Sequence, residues 1–107
     1  MTPKQFTTAL GLTESRGNPN SPLGDSGQAM GRWQVHPCWV WDHCKLVPFI
    51  SETWDAWVER NIEAFYNAHT FLPAVEIAMF FHLGHRALIA DADWDTNYAK
   101  RFIGYCS

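Results

Sequence analysis

The chain has 107 residues, enough for one hydrophobic core and not for two, so a single domain spanning residues 1–107 is expected. Its hydrophobic fraction of 47% and charged fraction of 18% are ordinary for a globular chain, although six Trp, seven Phe and three Tyr are rich for this length. A formal net charge of −3 speaks against a nucleic-acid surface, which needs a concentrated basic face.

No apolar stretch approaches the roughly 18 residues needed to cross a bilayer, so no stable membrane insertion is expected. The start, Met1-Thr2-Pro3-Lys4-Gln5, has no basic leader ahead of an apolar run, and no secretory signal is read there. The expectation is a protein made in the cytoplasm and held until something releases it, or a domain cut from a longer chain. Cys38, Cys44 and Cys106 cannot all pair within one molecule. An odd count without a leader favours free thiols, with a Cys38–Cys44 bridge as the alternative. His36, Cys38, His43 and Cys44 look superficially like metal ligands, but their spacing matches no paired zinc-knuckle pattern and Trp39, Val40 and Trp41 fill the gap. Core histidine and cysteine are expected there, with no metal and no cofactor.

In chain order the pattern is helix after helix. Thr2-Pro3-Lys4-Gln5 is a capping box with Pro at the first helical position. Phe6, Leu10 and Glu14 then fall at four-residue steps beside Ala9 and Thr13, placing Glu14 on the side of the apolar stripe. Gly17 suits the left-handed terminating position and Pro19 prevents continuation. Residues 18–28 carry Asn, Pro, Ser, Gly and Asp in quick succession and read as loop. A short helix is expected around 29–35, then a turn or two around 37–46, with Pro48 breaking the chain again.

Ser51 is expected to open the longest helix, to about residue 70, with Trp54, Trp57 or Val58, Asn61 or Ile62, and Phe65 on one side. Pro73 starts the next, where Val75, Ile77, Ala78, Met79, Phe80, Phe81 and Leu83 leave almost no polar face before Gly84 stops it. A helix apolar all round belongs at the centre of a domain. Asp93 or Asp95 can cap a last helix carrying Tyr98, Phe102 and Ile103. Alternating strand patterns, repeats and linkers are absent, so the fold class is all-α.

Glu14 is the candidate for chemistry. It ends a helix, where the dipole penalises a carboxylate, and it sits beside apolar neighbours. Both influences favour the neutral acid, which raises the expected pKa. A carboxyl held protonated near neutral pH can protonate a leaving-group oxygen, the task of the general acid in glycoside cleavage.

Glu14-Ser15, Asn18-Pro19, Gly24-Asp25 and Ala29-Met30-Gly31-Arg32-Trp33-Gln34 followed by Pro37 resemble the first motif block of lytic transglycosylases and goose-type-like lysozymes. In that family a Glu-Ser pair ends a helix, a small-residue loop follows, and a Gly-x-x-Gln segment closes the cleft. Downstream, Asn61-Ile62 is similar to a recurring Asn-Ile pair in a long helix. Phe80-Phe81-His82-Leu83-Gly84 occupies the place of an Ala-Tyr-Asn-Ala-Gly motif, and Asp95-Thr96-Asn97-Tyr98 with Lys100 and Phe102 resembles a late Glu-Thr-x-x-Tyr-Val element. The blocks occur in the family order over residues 5–103; each is short, and the ordered set is the specific part.

The resemblance implies a compact lysozyme-like domain with a buried central helix and a substrate cleft. It further implies that Glu14 is the catalytic acid, that Ser15 bonds substrate or steadies the acid, that Gln34 lines the cleft, and that the Tyr98 hydroxyl orients Glu14. Ser15 bonding local backbone and Tyr98 as a core aromatic are the plainer alternatives. Phe81 stands where the family often has Tyr, and a phenyl ring can stack but cannot donate a hydrogen bond. His82 stands in place of Asn, either contacting an acetamido or hydroxyl group or sitting in the core. Gly17 replaces a usual aromatic.

The implied reaction is cleavage of the β-1,4 bond between N-acetylmuramic acid and N-acetylglucosamine in peptidoglycan glycan strands, by a monomer. Two chemistries share this frame. A lytic transglycosylase uses one carboxyl and leaves a 1,6-anhydro sugar. A hydrolytic lysozyme (endolysin) brings in water, usually with a second carboxylate, for which Asp25 is the candidate and turn formation its plainer role. A catalytically inactive glycan-binding module and a helical interaction protein with a Trp-rich docking face are the readings outside enzymology. A leaderless wall-cleaving domain would suit a phage lysis enzyme or a virion-associated protein acting on the periplasmic wall, or a domain of a secreted bacterial enzyme.

Overall fold

The computed structural model describes residues 1–18, 20–24, 27, 29–36, 39, 47–83 and 96–106. Among them the architecture is mainly helical: α1 (Pro3–Ser15), α2 (Trp54–Ala68), α3 (Ala74–Leu83) and α4 (Thr96–Tyr105). The extended pairing among these residues is confined to two isolated antiparallel bridges, Gly24 with Ala29 and Met30 with Val35. The radius of gyration, 13.1 Å, is that of one compact body of this length.

The first helix starts as its local chemistry dictates. The Thr2 hydroxyl accepts from the Gln5 amide at 3.1 Å, and Gln5 Oε1 accepts from the Thr2 amide at 2.8 Å. Two otherwise orphaned donors are thereby satisfied, and Pro3 supplies a first-turn residue that needs no partner. The helix ends one residue earlier than the glycine pattern suggests. Arg16, and not only Gly17, takes a left-handed backbone, with φ 57° and 80° respectively. The reversal lets the Arg16 amide reach Leu12 O and the Gly17 amide reach Gly11 O.

Helix α2 is capped by Thr53, whose hydroxyl accepts from the Ala56 amide at 3.1 Å. Ser51, the expected cap, instead sits at φ 55° in the preceding bend. Its neighbour Glu52 folds back onto Arg60, which also donates to Pro48 O, and this clamp fixes the approach to the helix. Val58, Asn61, Ile62, Phe65 and Tyr66 form the buried face, while Trp54 is 39% exposed and packs edge-on against Trp57.

Helix α1 packs against α2 and α4, and α3 packs against α4. Phe6 stands at the junction, with its ring centroid 4.8 Å from Tyr66 and 5.6 Å from Phe102. Leu10, Ile62, Ile77 and Met79 are fully enclosed around it. Each such side chain contributes about 1.5–3 kcal/mol relative to exposure.

The expectation of a helix buried all round is corrected for α3. Its burial is confined to Ile77, Ala78 and Met79; Val75, Phe80, Phe81 and Leu83 are half-buried, and His82 is exposed. Phe80 and Phe81 are occupied by an aromatic cluster with Phe65, which spends their hydrophobicity at the margin of the core. In α4, Tyr98 and Phe102 face inward one turn apart, whereas Ile103 is 57% exposed. Gly84, Asp93 and Asp95 lie outside the described residues, as do the expected turns at 37–46 apart from Trp39.

Candidate active site

Glu14 occupies the last turn of α1 and is half-buried there. Tyr98 comes to it from the opposite end of the chain. The Tyr98 ring is 1% exposed, and its hydroxyl donates to Glu14 Oε2 at 2.6 Å. Among the described groups, two opposed influences act on the carboxyl. The terminal carbonyls of α1 disfavour the anion, and the phenol donor favours it.

His82 of α3 lies flat on the Tyr98 ring, with centroids 3.9 Å apart and planes 7° from parallel. The Arg101 guanidinium, one turn on from Tyr98, stands 5.7 Å from the same ring centroid. Glu14, Tyr98 and His82 thus form one contiguous group drawn from three helices. Phe81 does not join it. Its ring packs edge-on against Trp39, with a centroid distance of 5.1 Å, in the aromatic cluster beside Phe65.

The segment 29–36 is not the short helix expected. It reverses on itself, with Met30 and Val35 exchanging both backbone hydrogen bonds at 3.1 Å. The reversal needs positive φ at Gly31 (79°) and at Gln34 (49°), values a right-handed helix cannot contain. It is seated on α1 by Trp33, a buried indole whose Nε1 donates to Thr7 O at 2.8 Å. Gly11 makes the seat possible, since a Cβ there would meet Arg32 Cγ and Trp33 Nε1 at 3.1 Å.

Ser15 ties the far end of this seat. Its hydroxyl has three carbonyls in range: Arg32 O at 2.5 Å, Gly11 O at 3.3 Å and Asn18 O at 3.4 Å. One proton serves one acceptor best, and Arg32 O is the nearest, so Ser15 acts on the position of the loop behind Glu14. The Gln34 amide is also used internally, donating to Gly31 O at 2.9 Å and Pro22 O at 3.3 Å. Gln34 and Ser15 are therefore brought to the same loop, each holding it to its surroundings. Asp25 lies outside the described residues, as do Cys38, His43 and Cys44. Cys106 is a free, half-buried thiol whose pKa burial pushes up.

A depression of about 460 Å³ opens where α1 ends, lined by Glu14, Ser15, Arg16, Arg101 and Tyr105 together with Leu12 and Thr13. Glu14 is the only carboxylate among these lining residues. A smaller hollow of about 300 Å³ between α1 and Trp33 shares Leu12 and Arg16 with it but includes neither Glu14 nor Tyr98. Arg16, Arg101 and Tyr105 escaped the sequence reading. The available signal was helical spacing, since Arg101 follows Tyr98 by three positions and so shares its side of α4.

Chemically, the described residues offer one carboxyl held by a buried phenol, with two guanidinium groups lining the same depression. The carboxyl can give a proton to, and take one from, a polar ligand in the depression. Comparison of the chain with protein-family models, with curated proteins and with solved structures gave no match.

Proposed function

We propose that the chain is a peptidoglycan-cleaving muramidase of the lysozyme-like superfamily, acting as a lytic transglycosylase with Glu14 as its single catalytic carboxyl. The observation that carries this reading is the 2.6 Å hydrogen bond from Tyr98 to Glu14. These are the two residues that the resemblance pairs as acid and orienting phenol, and they come from motif blocks at opposite ends of the chain. His82, on the Tyr98 ring, is assigned to the substrate side of the group because it is exposed.

In this mechanism Glu14 protonates the glycosidic oxygen as the bond from muramoyl C1 to that oxygen breaks, releasing the N-acetylglucosamine end as an alcohol. The resulting carboxylate then accepts the proton of the muramoyl 6-hydroxyl as O6 bonds to C1. The product is a 1,6-anhydro sugar, and Glu14 is returned to its starting form. Tyr98 keeps the carboxyl in one orientation through both proton transfers. Ser15 and Gln34 hold the 29–36 loop in place behind the end of α1. A lysozyme would differ only in the attacking group, water in place of O6, usually with help from a second carboxylate.

Mass spectrometry of muropeptides released from purified sacculi tests the reading. Anhydro-muramoyl ends are expected from the wild type and none from Glu14→Gln, whose amide has no proton to give. Reducing ends would assign the hydrolytic route. A folded wild type that binds sacculi and releases nothing would make this an inactive glycan-binding module.

A further inference from the structure

Half of the six described Lys and Arg side chains are paired with carboxylates. Lys4 pairs with Glu59, Arg32 with Asp55 and Arg60 with Glu52. Among the described residues, Arg16, Lys100 and Arg101 have no carboxylate within ion-pairing distance. Two of these three, Arg16 from the end of α1 and Arg101 from α4, line the depression that holds Glu14. Among the described residues, the lining therefore carries two guanidinium groups against one carboxyl, in a protein whose formal net charge is −3.

The backbone at Arg16 strengthens the point. With φ 57° and ψ 26° it holds a left-handed conformation that glycine adopts without steric penalty. Gly17 beside it also has positive φ, so the helix terminates at two successive left-handed residues. A cation anywhere in the last turn would complement the helix dipole equally well. What this position adds is a guanidinium at the rim of the depression.

We propose that Arg16 and Arg101 form a carboxylate-binding subsite beside Glu14, which selects sugars bearing an acidic 3-O-lactyl arm over neutral N-acetylhexosamines. The proposal rests on the muramidase reading for the identity of the sugar. Guanidinium groups recognise carboxylates with paired, charge-assisted hydrogen bonds. Glu14 offsets one of the two positive charges when ionised and neither when protonated. The pull on an incoming anion is therefore greatest when the acid carries the proton that the first step needs. The anion has two possible sources, the lactyl carboxylate of a strand stripped of peptide or the carboxylates of an attached stem.

The test is an NMR titration of the wild type, Arg16→Gln and Arg101→Gln with three probes: N-acetylglucosamine, N-acetylmuramic acid and N-acetylmuramoyl-L-alanyl-D-glutamate. The wild type should bind at least one acidic probe roughly tenfold more tightly than N-acetylglucosamine, with the preference weakened by salt. The acidic probe that gains identifies the source. Each Gln variant should lose most of the preference while its amide spectrum outside the depression stays that of the wild type. Equal affinity for acidic and neutral sugars, or an undiminished preference in both variants, overturns the subsite. No turnover is needed for this readout. A protein that cleaves sacculi without the preference refutes the subsite alone, and one that shows the preference but cleaves nothing refutes the activity alone.

Discussion

Tyr98 and Glu14 are 84 positions apart in the chain, and the phenol donates to the carboxyl at 2.6 Å. A hydrogen bond to an ionised group contributes about 1.5–3 kcal/mol. Removing it with Tyr98→Phe keeps the enclosed ring and deletes only the orienting hydroxyl. Activity on sacculi should fall roughly 10- to 100-fold, with thermal stability lowered by about 1–2 kcal/mol. Full activity in a folded Tyr98→Phe protein would reduce Tyr98 to a packing residue.

What the sequence carried well was local chemistry, and what it hid was long-range. The Thr2–Gln5 box specifies the start of α1 because both partners lie within one turn. The same logic misplaced the α2 cap. Ser51 and Thr53 are equivalent by type, and the choice is made by Glu52, which turns back to Arg60 eight positions away. The segment 29–36 reads as a helix by composition, but its conformation is set by Trp33 lying on α1 and by positive φ at Gly31 and Gln34. Glu14 and Tyr98 were legible as separate candidates through the resemblance. Arg16 and Arg101 were not, because a charge without a partner among the described residues is recognised only once the chain is folded.

Ser15 gives a prediction that separates support from direct chemistry. Ser15→Ala leaves Arg32 O without its nearest donor at the end of the loop seat. An orphaned, partly buried carbonyl costs about 1–3 kcal/mol. Hydrogen–deuterium exchange should quicken at Met30 and Val35, whose amides exchange bonds across the reversal, while the core helix α2 keeps its protection. Unchanged exchange at those two amides would return Ser15 to a role on the substrate side.

Gly24 and Gln34 form a coupled pair. A Cβ on Gly24 would stand 2.6 Å from Gln34 Oε1, too close for both to stay. The amide is the flexible partner, so Gly24→Ala should push it off Gly31 O and Pro22 O and cost about 1–2 kcal/mol for the two weakened bonds. Gln34→Ala removes the obstacle along with the bonds. The double variant should therefore be little less stable than Gln34→Ala alone, a clear departure from additivity by denaturant unfolding. Simple additivity would mean that Gly24 is constrained by something other than this side chain.

The Glu52–Arg60 clamp contributes to the acid limb of stability. The Arg60 side chain, bonding both carboxylate oxygens, holds Glu52 below its ordinary value of 4.5. A carboxyl with a lowered folded-state pKa stabilises the fold fully above its unfolded value and loses that contribution as pH falls through the folded one. The melting temperature of the wild type should thus exceed that of Glu52→Gln at pH 7, with the gap closing as the pH drops below about 4.5. Lys4 works in the opposite sense, because Glu59 raises it above 10.5 and that contribution is lost as pH climbs past that range. A gap between wild type and Glu52→Gln that persisted undiminished at pH 2 would mean the clamp acts through the Arg60 bond to Pro48 O rather than through charge.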